Sequence, residues 1–181
     1  MSGTQLPPIS AVPSLATLER AAILDILFEP CTQLHTLSVG LLHEKTFASY
    51  DDLIAGIGVQ LTELTESAST SDKEWLEKIL AAHPRLGEKK VDSAHSKAEQ
   101  AKMGAADSTQ ERELASLNSE YEMTFPGLRY VTFVNGRDRS VIMDEMRSRI
   151  TRGDIKLERA EAAKAMCEIA ADRARRLPAA P

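Results

Sequence analysis

Aromatic residues are scarce in this 181-residue chain: one Trp, three Tyr and four Phe. Its core must therefore be filled by Leu, Ile, Val, Ala and Met. That repertoire suits packed helices better than a β-sandwich, which draws on aromatic and β-branched residues. Cysteine is scarcer still. Cys31 and Cys167 lie far apart and fit neither metal nor redox spacing, so both are expected as reduced, buried thiols. No run approaches the roughly 20 apolar residues of a membrane span. The N-terminal MSGTQLPPISAVPS shows no basic stretch leading into an apolar one, and the C-terminal Ala-Ala-Pro lacks a Ser-Lys-Leu address. The expected localisation is intracellular, cytoplasmic or peroxisomal. There is no Gly-rich phosphate loop, no Gly-x-Ser-x-Gly elbow and no convincing His/Cys/Asp/Glu metal spacing, which removes the common nucleotide, serine-hydrolase and zinc readings. With 27 acidic against 22 basic residues the net charge is −5, giving no general field for nucleic acid. Neither nucleic acid nor membrane is expected as a partner.

What is present is helical periodicity. With 43% hydrophobic residues a single domain can bury its core without disulfides or a structural metal. Residues 1–13 contain three prolines and read as a flexible tail, leaving one helical domain over 14–178. Apolar spacing predicts helices over about 15–28, 33–43, 50–66, 72–82, 94–103, 108–124, 141–150 and 155–176. Asp51 or Asp52 is a candidate cap for the third, and Ser108 with Glu111 a capping box for the sixth. Asp25 falls inside an apolar face and needs a rim position or a partner. A basic turn is expected over 87–91 and a loop over 104–107. Residues 128–134 have strand-like content, but one strand cannot make a sheet. The expected fold is therefore all-α, a compact multi-helix domain with one extended crossing segment.

Of the four histidines, His35 and His43 lack a carboxylate at i+4 and read as structural or surface residues, while His95 lies beside a candidate cap. His83 sits where a helix is forced to end, because Pro84 disfavours α geometry in the residue before it. The stiff Pro84-Arg85-Leu86-Gly87 turn would display its ring, and a helix C-terminus would favour the imidazolium and hold it near neutral pH for proton transfer. The plain alternative is a His-Pro that merely stops a helix. Ser96-x-x-Glu99-Gln100 is the second candidate. Ser-x-x-Glu is also a helix capping box, although the run after it, Ala-Lys-Met-Gly, is poor for a structural cap.

In order and spacing, these pieces resemble the 2-oxo-4-hydroxy-4-carboxy-5-ureidoimidazoline (OHCU) decarboxylase family, which completes the conversion of urate to (S)-allantoin. The resemblance runs from about Leu15 to Leu177. It is carried by Trp75-Leu76 through His83-Pro84-Arg85-Leu86-Gly87, by Ser96-x-x-Glu99-Gln100, by Leu117-Asn118-x-x-Tyr121, by residues 125–136 and by Arg149-Ile150. It implies an all-helical, often dimeric enzyme without metal or organic cofactor, acting on a small molecule. It gives His83 the essential histidine role, with Glu99 and a C-terminal arginine as partners. Laying Glu158, Ala162 and Ile169 on the family's last helix selects Arg173, with Arg176 as the fallback. Pro84, Ser96 and Gln100 match positions lining the family's site, completed by backbone groups of Tyr130, Val131, Thr132, Phe133 and Val134. Two departures stand out: the stretch between His83 and Ser96 is short, and Pro126-Gly127 with Arg129 replaces a more apolar run.

The implied chemistry is consistent with such a site. Loss of CO2 leaves an electron pair that commonly needs a cofactor as sink. Here a ring C=N bond lies beta to the carboxylate and can take the pair, giving an enamine-enol. The protein must orient the carboxylate, handle the hydroxyl proton and deliver a proton to one face. His83 would carry the proton, Glu99 would hold its tautomer or accept from ureido N–H groups, and Arg173 would clamp carboxylate or carbonyl oxygens. The rival readings are a decarboxylase of a related ureido or imidazole acid, and an inactive interaction protein on the same scaffold.

Overall fold

The computed structural model describes residues 5–88, 93–104 and 107–177. Residues 1–4 of the expected tail, 89–91 of the basic turn, 105–106 of the loop and 178 at the domain's far end lie outside the described residues.

A 3-10 helix, Ile9–Ser14, leads into α1 (Thr17–Leu27), α2 (Thr32–Glu44), α3 (Tyr50–Glu66), α4 (Thr70–Ala81), α5 (Ala94–Ala101), α6 (Ser108–Thr124), α7 (Arg139–Arg152) and α8 (Ile155–Arg176). The all-α expectation holds, with no β-strand element among the described residues. Neighbours in sequence pair as α1 with α2, α3 with α4 and α6 with α7, while α8 packs on α1, α3 and α4. The α3–α8 contact is the densest because α3 buries Leu53, Ile54, Ile57, Leu61 and Leu64 while α8 presents Ala162, Ala163, Ala165 and Ala170. Small side chains on one helix let large ones on the other interlock. The approach is tight: a Cβ on Gly58 would lie 3.3 Å from Cys167 Sγ.

Several local expectations are corrected. Ser49, not Asp51 or Asp52, caps α3; its hydroxyl accepts from the Asp52 N–H at 3.1 Å. Asp107, not Ser108, caps α6, accepting from the N–H groups of Thr109 and Gln110. In both cases the cap is a residue one to three positions earlier, the last with extended backbone. Asp25 finds its partner in His35, whose Nε2 lies 2.5 Å from the carboxylate. The expectation of a flexible tail does not hold for residues 5–13. Leu6 and Val12 are buried, Tyr50 donates to Pro7 O at 2.7 Å, and His43 bonds Pro13 O at 3.0 Å. Prolines stiffen this segment, and two apolar anchors suffice to dock it.

Residues 128–134 run in neither helix nor strand between Gly127 and the Asn135-Gly136 turn, where both residues take positive φ. Gly127 sets the entry angle. It sits at φ +88°, and a Cβ there would lie 2.6 Å from Glu77 Oε2, a carboxylate held by Arg159 at 2.8 Å. Left-handed geometry and the clash act together, so Gly127→Ala is expected to cost about 1–2 kcal/mol. A thermal melt would show Tm falling by about 3–6 °C; an unchanged Tm would mean that neither the backbone strain nor the contact with Glu77 is felt.

Candidate active site

The site is assembled from the end of α4, one face of α5, the segment 128–134 and the last turns of α8. Helix α4 stops at Ala81, and His83 follows with its N–H bonded to Leu80 O at 3.2 Å. Its position is fixed from three directions. Arg129 Nη1 donates to Ala81 O at 2.8 Å and His83 O at 3.0 Å, satisfying carbonyls that the end of α4 leaves open. Gln100 accepts from the Gly87 N–H at 2.9 Å and donates to Arg85 O at 3.0 Å. Asn118 donates to Leu86 O at 3.0 Å. Arg129, a departure from the family pattern in sequence, thus serves as a tie for the His83 turn.

The imidazole itself is buried, at 4% exposure. Burial, and then the positive charge of Arg173, push its pKa from 6.5 down to about 3. This overturns the expectation of an imidazolium poised near neutrality. The helix C-terminus favours the cation by a fraction of what desolvation costs it, so His83 is neutral at pH 7. Its Nε2 is buried with no hydrogen-bond partner among the described residues. A buried polar atom left unpaired is uncommon and calls for an explanation such as a catalytic role.

Helix α5 resolves the second motif. Ser93 is its cap, accepting from the Ser96 N–H at 3.2 Å, so Ser96 lies within the helix and the capping-box reading of Ser96-x-x-Glu99 fails. The i, i+3, i+4 spacing instead puts Ser96, Glu99 and Gln100 on one face. Behind that face stands Arg173, with 1% of its side chain exposed. Its Nε and Nη2 take both oxygens of Glu99, at 2.8 and 3.0 Å. Nη2 also reaches Glu29 at 2.8 Å and Ser96 Oγ at 3.1 Å, while Nη1 donates to the Phe28 carbonyl beyond the end of α1. Ser96 in turn donates to Glu29 Oε1 at 2.5 Å. Carboxylate neighbours raise the Arg173 pKa against the opposing effect of burial. The guanidinium is thus engaged within the protein on every nitrogen, and it does not line the pocket. Arg176, on the rim, bonds Asp172 and lies 3.6 Å from Glu99.

The pocket is lined by His83, Pro84, Ser96, Glu99, Gln100, Tyr130, Val131, Thr132, Phe133 and Val134, together with Leu86, Lys102, Asn135, Ile169 and Asp172. Every expected site residue except Arg173 is therefore on its wall. The enclosed volume is about 40 Å³, room for about three waters, so a ring substrate would displace them and fill the mouth as well. Glu99 makes no bond to His83, which leaves it facing the pocket as an acceptor rather than holding the imidazole tautomer. Carbonyls of the 128–134 segment are held from behind. Arg149 donates to Val131 O at 3.4 Å, and Arg137 donates to Phe133 O at 2.6 Å and to Val134 O at 3.3 Å. No acceptor among the described residues meets the backbone N–H groups of residues 130–134. Residues 130–134 line the pocket, and those of their N–H groups that face it are donors available to a ligand.

Sequence reasoning missed Lys102, Asp172 and above all Glu29. A signal for Glu29 did exist: a carboxylate follows the apolar end of α1 directly, where the helix dipole opposes negative charge, so it needs a strong partner. Lys102 and Asp172 carried none, because a charged residue in a helix's last turns reads as solvated.

A family model described as OHCU decarboxylase matches residues 13–175 of the 181-residue chain. No match to the chain is found among curated proteins. The family match spans all eight α-helices save the last residue of α8, together with the pocket they enclose, and on that coverage the chain belongs to the OHCU decarboxylase family.

Proposed function

We propose that this enzyme decarboxylates OHCU stereospecifically to (S)-allantoin, with His83 as the proton carrier. The observation that carries the reading is a neutral, buried imidazole whose Nε2 has no partner among the described residues, in a pocket shared with Glu99 and the 130–134 segment. As the C–CO2 bond breaks, its electron pair forms a ring C=C bond and displaces the C=N pair onto nitrogen, which takes up a proton from solvent. Neutral His83 accepts the hydroxyl proton, the enol collapses to the carbonyl, and the same imidazolium returns a proton to the adjacent carbon on the face it covers. A base must start neutral for this sequence, so the depressed pKa suits the task. Backbone N–H groups of residues 130–134 donate to ring or carboxylate oxygens, and Glu99 accepts from ureido N–H groups. The substrate's own ring is the electron sink, which is why the proposal includes no metal or organic cofactor.

Arg173 supports Glu99 in this scheme rather than clamping substrate, since all its nitrogens are committed. Lys102 has no ion-pair partner among the described residues and is the basic side chain lining the pocket. It meets the substrate carboxylate at the mouth. Lys102→Gln is expected to raise KM about fivefold, the worth of an exposed ion pair, with little change in kcat. The difference should shrink as salt is added; a salt-independent KM would remove Lys102 from the reading.

One catalytic domain over 14–178, working as a homodimer, is part of the proposal, and light scattering on the purified chain would test the dimer. The cytoplasm or a peroxisome is the proposed location, and among the described residues no helix is long and apolar enough to cross a membrane. The decisive assay supplies fresh urate oxidation product, generated in place by uricase and hydroxyisourate hydrolase, and follows the circular dichroism of allantoin. A rapid signal for the (S) product is expected. Racemic allantoin appearing at the rate without protein would overturn the reading in favour of a related ureido acid as substrate or an inactive scaffold.

A further inference from the structure

We infer that Glu29 is a positioning residue for the reaction: its negative charge, held behind the pocket, keeps Arg173 from fully neutralising Glu99. The inference rests on the decarboxylase reading above and adds to it a residue outside the pocket wall.

Three charged side chains meet at one buried point: Arg173 between Glu29 and Glu99, with Glu29 4% exposed as a residue. The cluster carries two negative charges and one positive, and the Arg176–Asp172 pair at its edge adds one of each sign, so the net charge is negative. Were Arg173 paired with Glu99 alone, the pair would be neutral and the carboxylate facing the pocket would lose its field. With Glu29 present the guanidinium is shared, and its positive charge, which on its own opposes a cation at His83, is partly offset. The offset eases formation of the imidazolium during turnover in a medium of low dielectric, where such interactions are strong.

Glu29 also fixes geometry. Its Oε1 is the common acceptor for Arg173 Nη2 at 2.8 Å and Ser96 Oγ at 2.5 Å, so one carboxylate orients both the arginine of α8 and the serine of α5. The chain around it is rigid: α1 ends at Leu27, Pro30 follows, and the Phe28 carbonyl accepts from the same guanidinium. A purely structural role would require only an acceptor of the right shape, which Gln supplies. A charge role requires a carboxylate, which Asp supplies at the expense of reach.

The two variants therefore separate the possibilities. In the coupled assay Glu29→Gln is expected to lower kcat on the order of 10- to 100-fold, the scale of displacing a supporting partner of a functional group. KM should change less than about threefold, because Glu29 does not touch the pocket. Glu29→Asp should recover most of the lost kcat. Thermal melts of both proteins, taken alongside, exclude unfolded material as the cause. If Glu29→Gln is as active as Glu29→Asp or more so, or if kcat falls only with the folded fraction, the inference is wrong. Failure of the unmodified enzyme to form (S)-allantoin would instead reject the function on which it rests, so the two failures are distinguishable.

Discussion

Replacing His83 with Asn is expected to lower kcat by about 10²- to 10⁴-fold and to abolish the stereochemical preference of any remaining product. Asn retains a polar group in the buried turn without offering a base. The ties to Arg129, Gln100 and Asn118 hold the turn through backbone carbonyls and the Gly87 N–H, none of which involves the imidazole, so the variant should fold. Full-rate formation of (S)-allantoin by this variant would remove His83 from the chemistry, and a loss below about 10²-fold would make it a positioning residue. The unmodified enzyme makes a second prediction in its pH dependence. A base held near pKa 3 in place of 6.5 stays neutral well into the acid range, so kcat/KM should show no acid limb around pH 6.5. Stability moves in a linked way. Between about pH 6.5 and 3 the unfolded chain binds a proton at this histidine that the folded chain lacks, so stability is present above 6.5 and lost as pH falls. His83→Asn should flatten that part of the stability profile, measurable by denaturant titration at several pH values.

Replacing Arg173 with Met is expected to be costlier for the fold than any other change considered. It leaves Glu29, 4% exposed, and Glu99, 14% exposed in its side chain, without their shared cation, and it strips the end of α1 of a donor. Removing one partner from a buried ion pair typically costs about 3–5 kcal/mol. For a chain of this size that corresponds to a Tm lower by roughly 10 °C. Activity should fall about 10²-fold or more even below the melting range, since Glu99 and Ser96 lose the group that orients them. Arg173→Lys keeps charge but not the fork, and should recover part of the stability and little of the rate. A variant that melts normally but binds substrate weakly would restore the picture of Arg173 as a substrate clamp.

Much of this molecule was legible in its sequence because the relevant signals are local. Helical spacing located α3 and α8 almost to the residue, and Pro84 marked where α4 ends. The order of His83, Ser96, Glu99 and the 128–134 segment was enough to gather one pocket wall. Local rules failed where two good candidates lay side by side. Ser49 and Asp107 took the caps from Asp51, Asp52 and Ser108, since only the backbone conformation decides which residue is the last extended one.

What the sequence by itself determined was the helical content, the places where helices stop and the identities of the groups able to do chemistry, all set by interactions within a turn or two. Tertiary structure alone decided the charge state of His83, because desolvation depends on what packs over the ring. It alone set Arg173 against carboxylates of the protein itself, because one of them comes from residue 29, 144 positions away in the chain. Burial and long-range pairing are properties of the packed chain, and they set the protonation and the geometry on which this reaction depends.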